Sequence, residues 1–446
     1  MEHKEYLFQL AEERKYQKLI QELDAMHEVD IAEFLDEIPF EKVVVVFRML
    51  KKDVSANIFS ELSPESQEKI IASITDKELS RIIEELYVDD AVDMLEEMPD
   101  YVVKRVLSNA KPETRKIINQ FLNYPEDSAG SIMAAEFVSL RRSMTVKQAM
   151  ERIRQAGLKK EMIYTFYVTD TKHVLGGVVS FRDLLLAKDD DIIENIMETD
   201  VIFCYTNDDQ EQVVNLISKY NFLAIPVVDK EQRLVGIVTY DDAIDVIEEE
   251  TTEDFEKMAA ILPSEKPYLK NGVFELSKNR IVWLLLLTVA ALISGRVMEA
   301  NVELIAAIPM LVFYTTFLTG TGGNAGAQTA TTIIRGIVIN EINPKRDWLR
   351  VLWKEIRISM IVGAVLVVVT AVRLLIQYPG DVKFCATVTL TLYITVTLAK
   401  ILGCLFPMLA KLCKVDPAMM ASPMISTVID TCVLLIYFNI AQQLMF

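Results

Sequence analysis

Apolar and polar positions change their rhythm three times along this 446-residue chain. Between residues 28 and 112 an apolar residue followed by a turn or helix-start signal returns every twelve positions. The junctions are Ile38-Pro39, Leu50-Lys51, Leu62-Ser63, Ile74-Thr75, Leu86-Tyr87, Met98-Pro99 and Ala110-Lys111. Ser63-Pro64-Glu65 puts a cap, a first-turn proline and an acid in order, and Thr75-Asp76-Lys77-Glu78 has the form of a capping box. Helices this short do not hold in water alone, so the pattern predicts that they stack into a helical superhelix, a solenoid, over residues 1–124.

From 125 to 250 the pattern becomes a duplication. The stretch "SIMAAEFVSL…YTFYVTDTKHVLGGVVSFRDLL" runs parallel to "NIMETDVIFC…LAIPVVDKEQRLVGIVTYDDAI". Each copy predicts a helix, a strand, a turn at an aspartate (Asp170, Asp229), a glycine-containing strand and a helix begun by Asp183 or Asp242. This α/β duplication resembles a tandem pair of CBS modules, which sense a ligand rather than catalyse a reaction.

Beyond residue 278 the apolar runs lengthen to the roughly 20 residues that a bilayer core requires. Five spans are expected, near 281–298, 303–328, 356–378, 384–412 and 418–445, forming a transmembrane block over 278–446. Lys278 and Arg280 precede the first span. Arg335, Lys345, Arg346, Arg350, Lys354 and Arg357 lie between the second and third, and Lys411 and Lys414 between the fourth and fifth. The opposite side carries Glu299, Glu303, Asp381 and Lys383. By the positive-inside rule the amino-terminal half is cytoplasmic and the carboxyl terminus faces out. No signal peptide is visible at the amino terminus, which reads as charged and helical. A multi-pass protein of the cell membrane is expected.

Two features inside the spans break the apolar pattern. Asp430 falls near the middle of the last span, where an ionised carboxylate costs about 2.5–3.5 kcal/mol, so it is expected to face an ion or proton pathway. The bland alternative pairs it with another helix, with Lys400 as a partner. The second feature is "TGTGGNAGAQTATTIIRG", residues 319–336. Glycines at 320, 322 and 323 are expected to loosen the helix and free carbonyls, and Asn324 and Gln328 call for water, which together predict a pore lining. Small residues that let helices pack closely are the common competing explanation.

Charge sharpens the division. Of 46 basic and 64 acidic residues, 14 and 8 lie in 276–446, so that block carries +6 and residues 1–275 carry −24. An acidic body repels nucleic acid and suits cations. The stretch "DDAIDVIEEETTEDFEKM" (241–258) holds nine acids, with like charges four apart at Asp241/Asp245, Asp245/Glu249, Glu249/Glu253 and Glu250/Asp254. Such pairs cost about 0.2–0.5 kcal/mol each, and oxygen-only ligands select Mg²⁺ or Ca²⁺. A smaller acidic set is Asp89, Asp90 and Asp93. Five cysteines without CxxC spacing read as apolar fillers. Three scattered histidines and the absence of any nucleophile–base spacing argue against an enzyme.

This order of parts resembles the MgtE family of magnesium channels, over essentially the whole chain from about residue 25. The likeness is most specific in "GGNAGAQTATTIIRG", "DPAMMASPMISTVIDTCVLLIYF" and "YDDAIDVIEEETTEDFEKMAA". It implies a homodimer with a connecting "plug" helix, here the linking segment 251–277. It further implies a hydrated Mg²⁺ held in the pore by Asp430 beside the glycine-rich stretch, at Asn324, Gly322, Gly323 and Gly326. Regulatory Mg²⁺ is implied at Asp89, Asp90 and Asp93, at Glu211, and at Asp242, Asp245, Glu250, Glu253 and Asp254. ATP is a further ligand that the resemblance allows at the CBS pair. Asn221 stands where family members can carry an aspartate, which weakens that site or leaves it to the amide oxygen.

The expected activity is import of hydrated Mg²⁺ through a channel, closed when cytosolic Mg²⁺ bridges the acidic faces. Two alternatives stay open at this point. One is a proton-coupled divalent-cation carrier regulated by adenine nucleotide, and the other is a membrane-tethered metal sensor that transports nothing.

Overall fold

Short helices start on the twelve-residue beat of the sequence. After α1 (Glu2–Glu12) and α2 (Tyr16–Leu23) come α3 (Glu28–Glu37), α4 (Phe40–Met49), α5 (Ser55–Ser60), α6 (Pro64–Ser73), α7 (Asp76–Glu85), α8 (Val88–Glu96), α9 (Asp100–Asn109) and α10 (Pro112–Phe121). Only α5 starts late. Helices two apart pack together: α2 on α4, α3 on α5, α4 on α6, α5 on α7, α7 on α9 and α8 on α10. Each contributes an apolar stripe to one core that includes Phe34, Leu35, Phe47, Phe59, Ile70, Ile82 and Val92. The computed structural model describes residues 2–52, 54–156, 162–264, 268–269, 271–420 and 422–445. It divides into two units, Met1–Glu248 and Glu249–Phe446.

Local capping follows the sequence in one place and departs from it in another. The capping box is complete: the Glu78 amide donates to Thr75 Oγ1 at 3.3 Å and the Thr75 amide to Glu78 Oε2 at 2.8 Å. Ser63 does not cap α6. Its amide and hydroxyl donate instead to Asp36 of α3, at 2.9 and 2.7 Å, because a helix-to-helix partner lies closer than its own first turn.

The duplication folds as two three-stranded sheets. In the first, β1 (Ser139–Arg141) runs parallel to β2 (Thr165–Thr169), which pairs antiparallel with β3 (Leu175–Ser180). The second repeats this with β4 (Cys204–Tyr205), β5 (Ala224–Val228) and β6 (Leu234–Thr239). Helices α11 (Val146–Ala156), α12 (Phe181–Leu186), α13 (Ile193–Ile196), α14 (Gln210–Tyr220) and α15 (Tyr240–Met258) complete the pair. Asp170 Oδ1 accepts from the amides of Lys172 and Val174, and Asp229 Oδ1 from those of Glu231 and Arg233, so both expected turns are built alike.

The two modules exchange edges. Ala134 pairs with Ile237 on β6, and its counterpart Glu198 pairs with Val178 on β3. At each crossing a glycine makes room. A Cβ on Gly177 would lie 2.7 Å from Met197 Sδ and 3.1 Å from the Glu198 carbonyl oxygen. On Gly236 it would lie 2.6 Å from Met133 Sδ and 2.9 Å from the Ala134 oxygen. A side chain at either position would push the crossing segment off the sheet.

The helix starts differ from the expected ones by three residues. Ser180 and Thr239 are the caps of α12 and α15, with Asp183 and Asp242 at the third helical position returning a bond to them. The linking segment 251–277 is helical only to Met258 and again from Val273; its residues 265–267 and 270 lie outside the described ones.

In the second unit, α16 (Val273–Ala300), α17 (Val302–Ala307), α18 (Met310–Val338), α19 (Pro344–Gln377), α20 (Val382–Leu412), a 3-10 turn (Pro417–Met420) and α21 (Ser422–Met445) follow in order. Helix α20 packs against α18, α19 and α21, while α16 rests on α21. Among the described residues, four helices are long and apolar enough to cross a membrane: α16, α19, α20 and α21 with its preceding turn. The second expected span, 303–328, is divided at Pro309, and α18 runs ten residues beyond its expected end. Helix α18 has the length, 29 residues, but its polar residues leave no stretch of it apolar enough to be counted with these four.

Candidate ion path and regulatory acids

Helix α18 passes through the glycine-rich stretch without interruption, so the expected opening of the backbone does not occur. The glycines are accounted for by their neighbours. A Cβ on Gly322 would meet Thr395 Cγ2 of α20 at 2.8 Å and Ile429 Cγ2 of α21 at 2.9 Å. One on Gly323 would lie 3.4 Å from Ser426 Cβ, and one on Gly326 would run into Ile425 and Ile429. On the α20 side, a Cβ on Gly403 would collide with the carbonyl oxygen of Gly326. Helices that approach this closely leave little or no space for a methyl group, and the helix runs on through all three positions. The close-packing explanation therefore holds for Gly322, Gly323 and Gly326.

The amides face the other way. Thr316, Gly320, Asn324 and Gln328 follow one another at four-residue spacing and are all exposed, and the stripe continues through Thr331, Thr332 and Arg335. Gly320 has open space where a Cβ would stand. An exposed polar stripe runs down an otherwise apolar helical block.

Asp430 is half-buried on α21. Helices α18 and α21 run antiparallel here, since Gly322 meets Ile429 and Val433 while Gly326 meets Ile425 and Ile429. On that register Asp430 lies at the depth of Gly322 and Gly323. Among the described residues no cation is paired with it.

Lys400 does not serve Asp430. It is 5% exposed, and its Nζ donates to Thr329 Oγ1 of α18 at 3.2 Å and stands 4.0 Å from Glu355 Oε2 of α19. Glu355 was missed in the sequence because it stands one residue before the third expected span. Nothing in linear spacing ties it to position 400.

In the first unit, Asp89 is buried and Asp93 exposed on α8. Burial, followed by the charges of Asp242, Glu61 and Glu136, pushes the Asp90 carboxyl up to about 6. The structure thus brings Asp90 of the helical segment close to Asp242 of the second module, together with two acids that the sequence did not single out. Burial also raises Asp242, against the hydrogen bond that its carboxylate accepts from Thr239, and Asp245 is raised by burial and then by Asp241 and Glu248. Glu211 stands in the first turn of α14, beside the cap Asp209, and Asn221 ends that helix in the left-handed conformation at φ 54°. Asparagine tolerates this conformation well, so the residue has a backbone reason to be there.

In the second unit, burial and the charge of Asp416 push Asp254 up to about 6, with Glu250 and Glu253 adding to the rise. Lys257 Nζ bonds Glu253 Oε1 at 2.6 Å and Asp416 Oδ2 at 2.7 Å. Burial would lower this ammonium, but the two carboxylates outweigh it and hold it above its ordinary value. Among the described residues, no three acidic, histidine or cysteine side chains converge on one metal-sized position.

The family description "MgtE intracellular N domain" matches residues 26–127, "CBS domain" matches 129–190 and 193–249, and "Divalent cation transporter" matches 315–440. A protein of Thermus thermophilus named "Magnesium transporter MgtE" is 34% identical over 427 residues, covering 95% of this chain and 94% of its own length. The chain belongs to the MgtE family of magnesium transporters. A second MgtE relative, from Bacillus subtilis, is 32% identical over 419 residues, covering 94% of this chain and 92% of its own. Two solved structures are similar to the amino-terminal part. "The soluble part of a magnesium transporter" is 31% identical with a TM-score of 0.52, covering 56% of this chain and 98% of its own. "The cytosolic domain of the Mg2+ channel MgtE in complex with ATP" is 38% identical with a TM-score of 0.51, covering 54% and 98%. An MgtE protein is a transporter and not an enzyme, and the apolar helices of the second unit belong to a multi-pass membrane protein.

Proposed function

We propose that this chain is a Mg²⁺ channel whose path is walled by the exposed stripe of α18 and by Asp430 of α21. The stripe from Thr316 to Arg335 carries the argument. Polar residues facing lipid over five helical turns are costly, whereas the same residues facing water or a second copy are not. A single chain leaves the stripe open on one side, so a homodimer supplies the opposite wall. In that reading α18 is the fifth span, the acidic amino-terminal unit is cytoplasmic, and the carboxyl terminus faces out, in keeping with the basic loops.

Mg²⁺ sheds its water reluctantly, so the path holds it hydrated. Asp430 supplies charge, and the side-chain oxygens of Asn324 and Gln328, with the threonine hydroxyls, accept hydrogen bonds from its waters. Intact helical carbonyls take no part.

Gating rests on the acids. The short helices read as a solenoid whose Asp90 lies close to Asp242 of the CBS pair, with Asp89 and Asp93 on the same helix. Asp242, Asp245, Glu250, Glu253 and Asp254 extend along α15, and Glu211 joins the set from the first turn of α14. Mg²⁺ that binds better to the compact arrangement favours the closed state. ATP binding at the CBS pair is a separate element of the proposal, supported by the likeness to the ATP-bound cytosolic domain.

The deciding experiment measures Mg²⁺ flux and reversal potential in proteoliposomes. Asp430→Asn is expected to abolish most of the flux, and the reversal potential of the parent chain is expected to follow the Mg²⁺ gradient and ignore pH. Unchanged flux through the variant would reject the pore assignment. A reversal potential that moves with pH would favour the carrier.

A further inference from the structure

Thr329, Glu355 and Lys400 come from three helices and meet in the interior of the apolar block, exposed by only 2%, 8% and 5%. Lys400 Nζ donates to Thr329 Oγ1 at 3.2 Å, and Thr329 Oγ1 donates to Glu355 Oε2 at 3.0 Å. One hydroxyl thus links an ammonium to a carboxylate, using both its acceptor and its donor. Stability alone does not explain such a group, because replacing a buried ion pair by apolar residues is often neutral or favourable.

The surrounding contacts suggest what it does. Thr329 lies one turn from Gly326, and Lys400 one turn from Gly403, where α18 and α20 come so close that Gly403 has no space for a Cβ. At the Gly326–Gly403 crossing itself the first contact is backbone against a position without a Cβ. This allows close approach but adds no directional bond to fix how one helix is turned against the other. Hydrogen bonds at Thr329 add it. Each residue advances a helix by about 100°, so a slip of one position would carry Asn324 from the open face into the seam.

We propose that the Glu355–Thr329–Lys400 clamp is a positioning device that fixes the rotation of α18, and so the direction in which Asn324 and Gln328 face. The consequence for transport rests on the reading of that stripe as the ion path. The clamp itself can be tested without it.

The test uses the full chain carrying Gly323→Cys and Ser426→Cys. The Cβ positions at these sites would be 3.4 Å apart, close to the span of a disulfide. The rate of oxidative crosslinking therefore reports the seating of α18 on α21, whatever the ion does. Thr329→Val keeps the shape and removes the hydroxyl, while Thr329→Ser keeps the hydroxyl. We expect Thr329→Val to slow crosslinking by about tenfold and Thr329→Ser to restore it, as loss of a charge-assisted bond allows. In the absence of the two cysteines, Mg²⁺ flux is expected to fall and recover in the same order. Glu355→Gln with Lys400→Met removes both charges together and covers the case in which the valine variant does not fold. Parent-like crosslinking in whichever variant folds overturns the clamp. Slowed crosslinking with unchanged flux supports the clamp and removes the stripe from the ion path.

Discussion

Lys257, in the last turn of α15, holds Asp416, just ahead of the 3-10 turn that leads into α21, at 2.7 Å, with Glu253 on its other side at 2.6 Å. A tethered ammonium thus occupies a position among Glu253, Asp254 and Asp416 where an all-acid cluster would otherwise need a free cation. Replacing it with glutamine leaves those acids to be neutralised by Mg²⁺ alone. On the proposed gating, Lys257→Gln is expected to pass more Mg²⁺ at low cytosolic Mg²⁺ and to be inhibited more strongly as Mg²⁺ is added. Patch recordings with cytosolic Mg²⁺ varied would show this, and parent behaviour at low Mg²⁺ would remove Lys257 from the gating scheme.

Asp90 makes stability depend on pH. Its carboxyl is pushed from 3.8 up to about 6, chiefly by burial. The folded state therefore holds the proton more tightly than the unfolded state. The stabilisation from protonation is full below the unfolded value and is lost as pH rises through the folded one, an effect of about 2–3 kcal/mol at most. Thermal melts of the purified chain are expected to show a drop across this window that Asp90→Asn flattens. Mg²⁺ is expected to raise the melting temperature more above pH 6 than below it, because only the ionised carboxylate needs a counter-ion. A variant with the parent's pH profile would contradict the account.

Two glycines separate packing from lining. Gly403→Ala places a methyl group against the Gly326 carbonyl, which belongs to backbone and cannot swing aside, so a loss of about 1–3 kcal/mol is expected. Gly320→Ala meets nothing within 4 Å and removes the entropy cost of a helical glycine, so a gain of up to about 1 kcal/mol is expected. Melting of the purified variants in detergent gives the comparison. Equal shifts would mean that the seam between α18 and α20 is looser than its geometry.

Neutralising Asp242, Asp245, Glu250 and Glu253 together is expected to weaken inhibition by cytosolic Mg²⁺. Asp242 contributes a second effect of its own, since its carboxylate accepts from Thr239 at 2.5 Å in the cap of α15. A companion variant that leaves Asp242 intact separates the cap from the sensor. Unaltered inhibition in both would exclude α15 from Mg²⁺ sensing.

Much of the architecture was written in local spacing. The junctions from Ile38-Pro39 to Ala110-Lys111 put all but one of the helix starts in place, and the aligned aspartates Asp170 and Asp229 fold into matching turns. What escaped was every feature that depends on which face a residue presents. Gly322 and Asn324 are two positions apart, yet one is buried in a seam and the other exposed, and the sequence reading merged them into a single broken lining. Ser63 was assigned to its own helix, but Asp36, far back in the chain, claims it. Glu61 and Glu136 are unremarkable in sequence and matter only because folding sets them near Asp90. Lys400 was offered to the one intramembrane acid in view, and its actual partner lay just outside a predicted boundary.

The crossings at Gly177 and Gly236 mean that neither half of residues 125–250 is a self-sufficient piece. Each contributes a segment to its sibling's sheet, as two hands clasp by the wrist. The first copy alone would lack Glu198 beside β3, and the second copy alone would lack Ala134 beside β6; either truncation bares a sheet edge that invites aggregation. The clasp also ties the halves together, since they cannot part without breaking the pairings of Ala134 with Ile237 and of Glu198 with Val178.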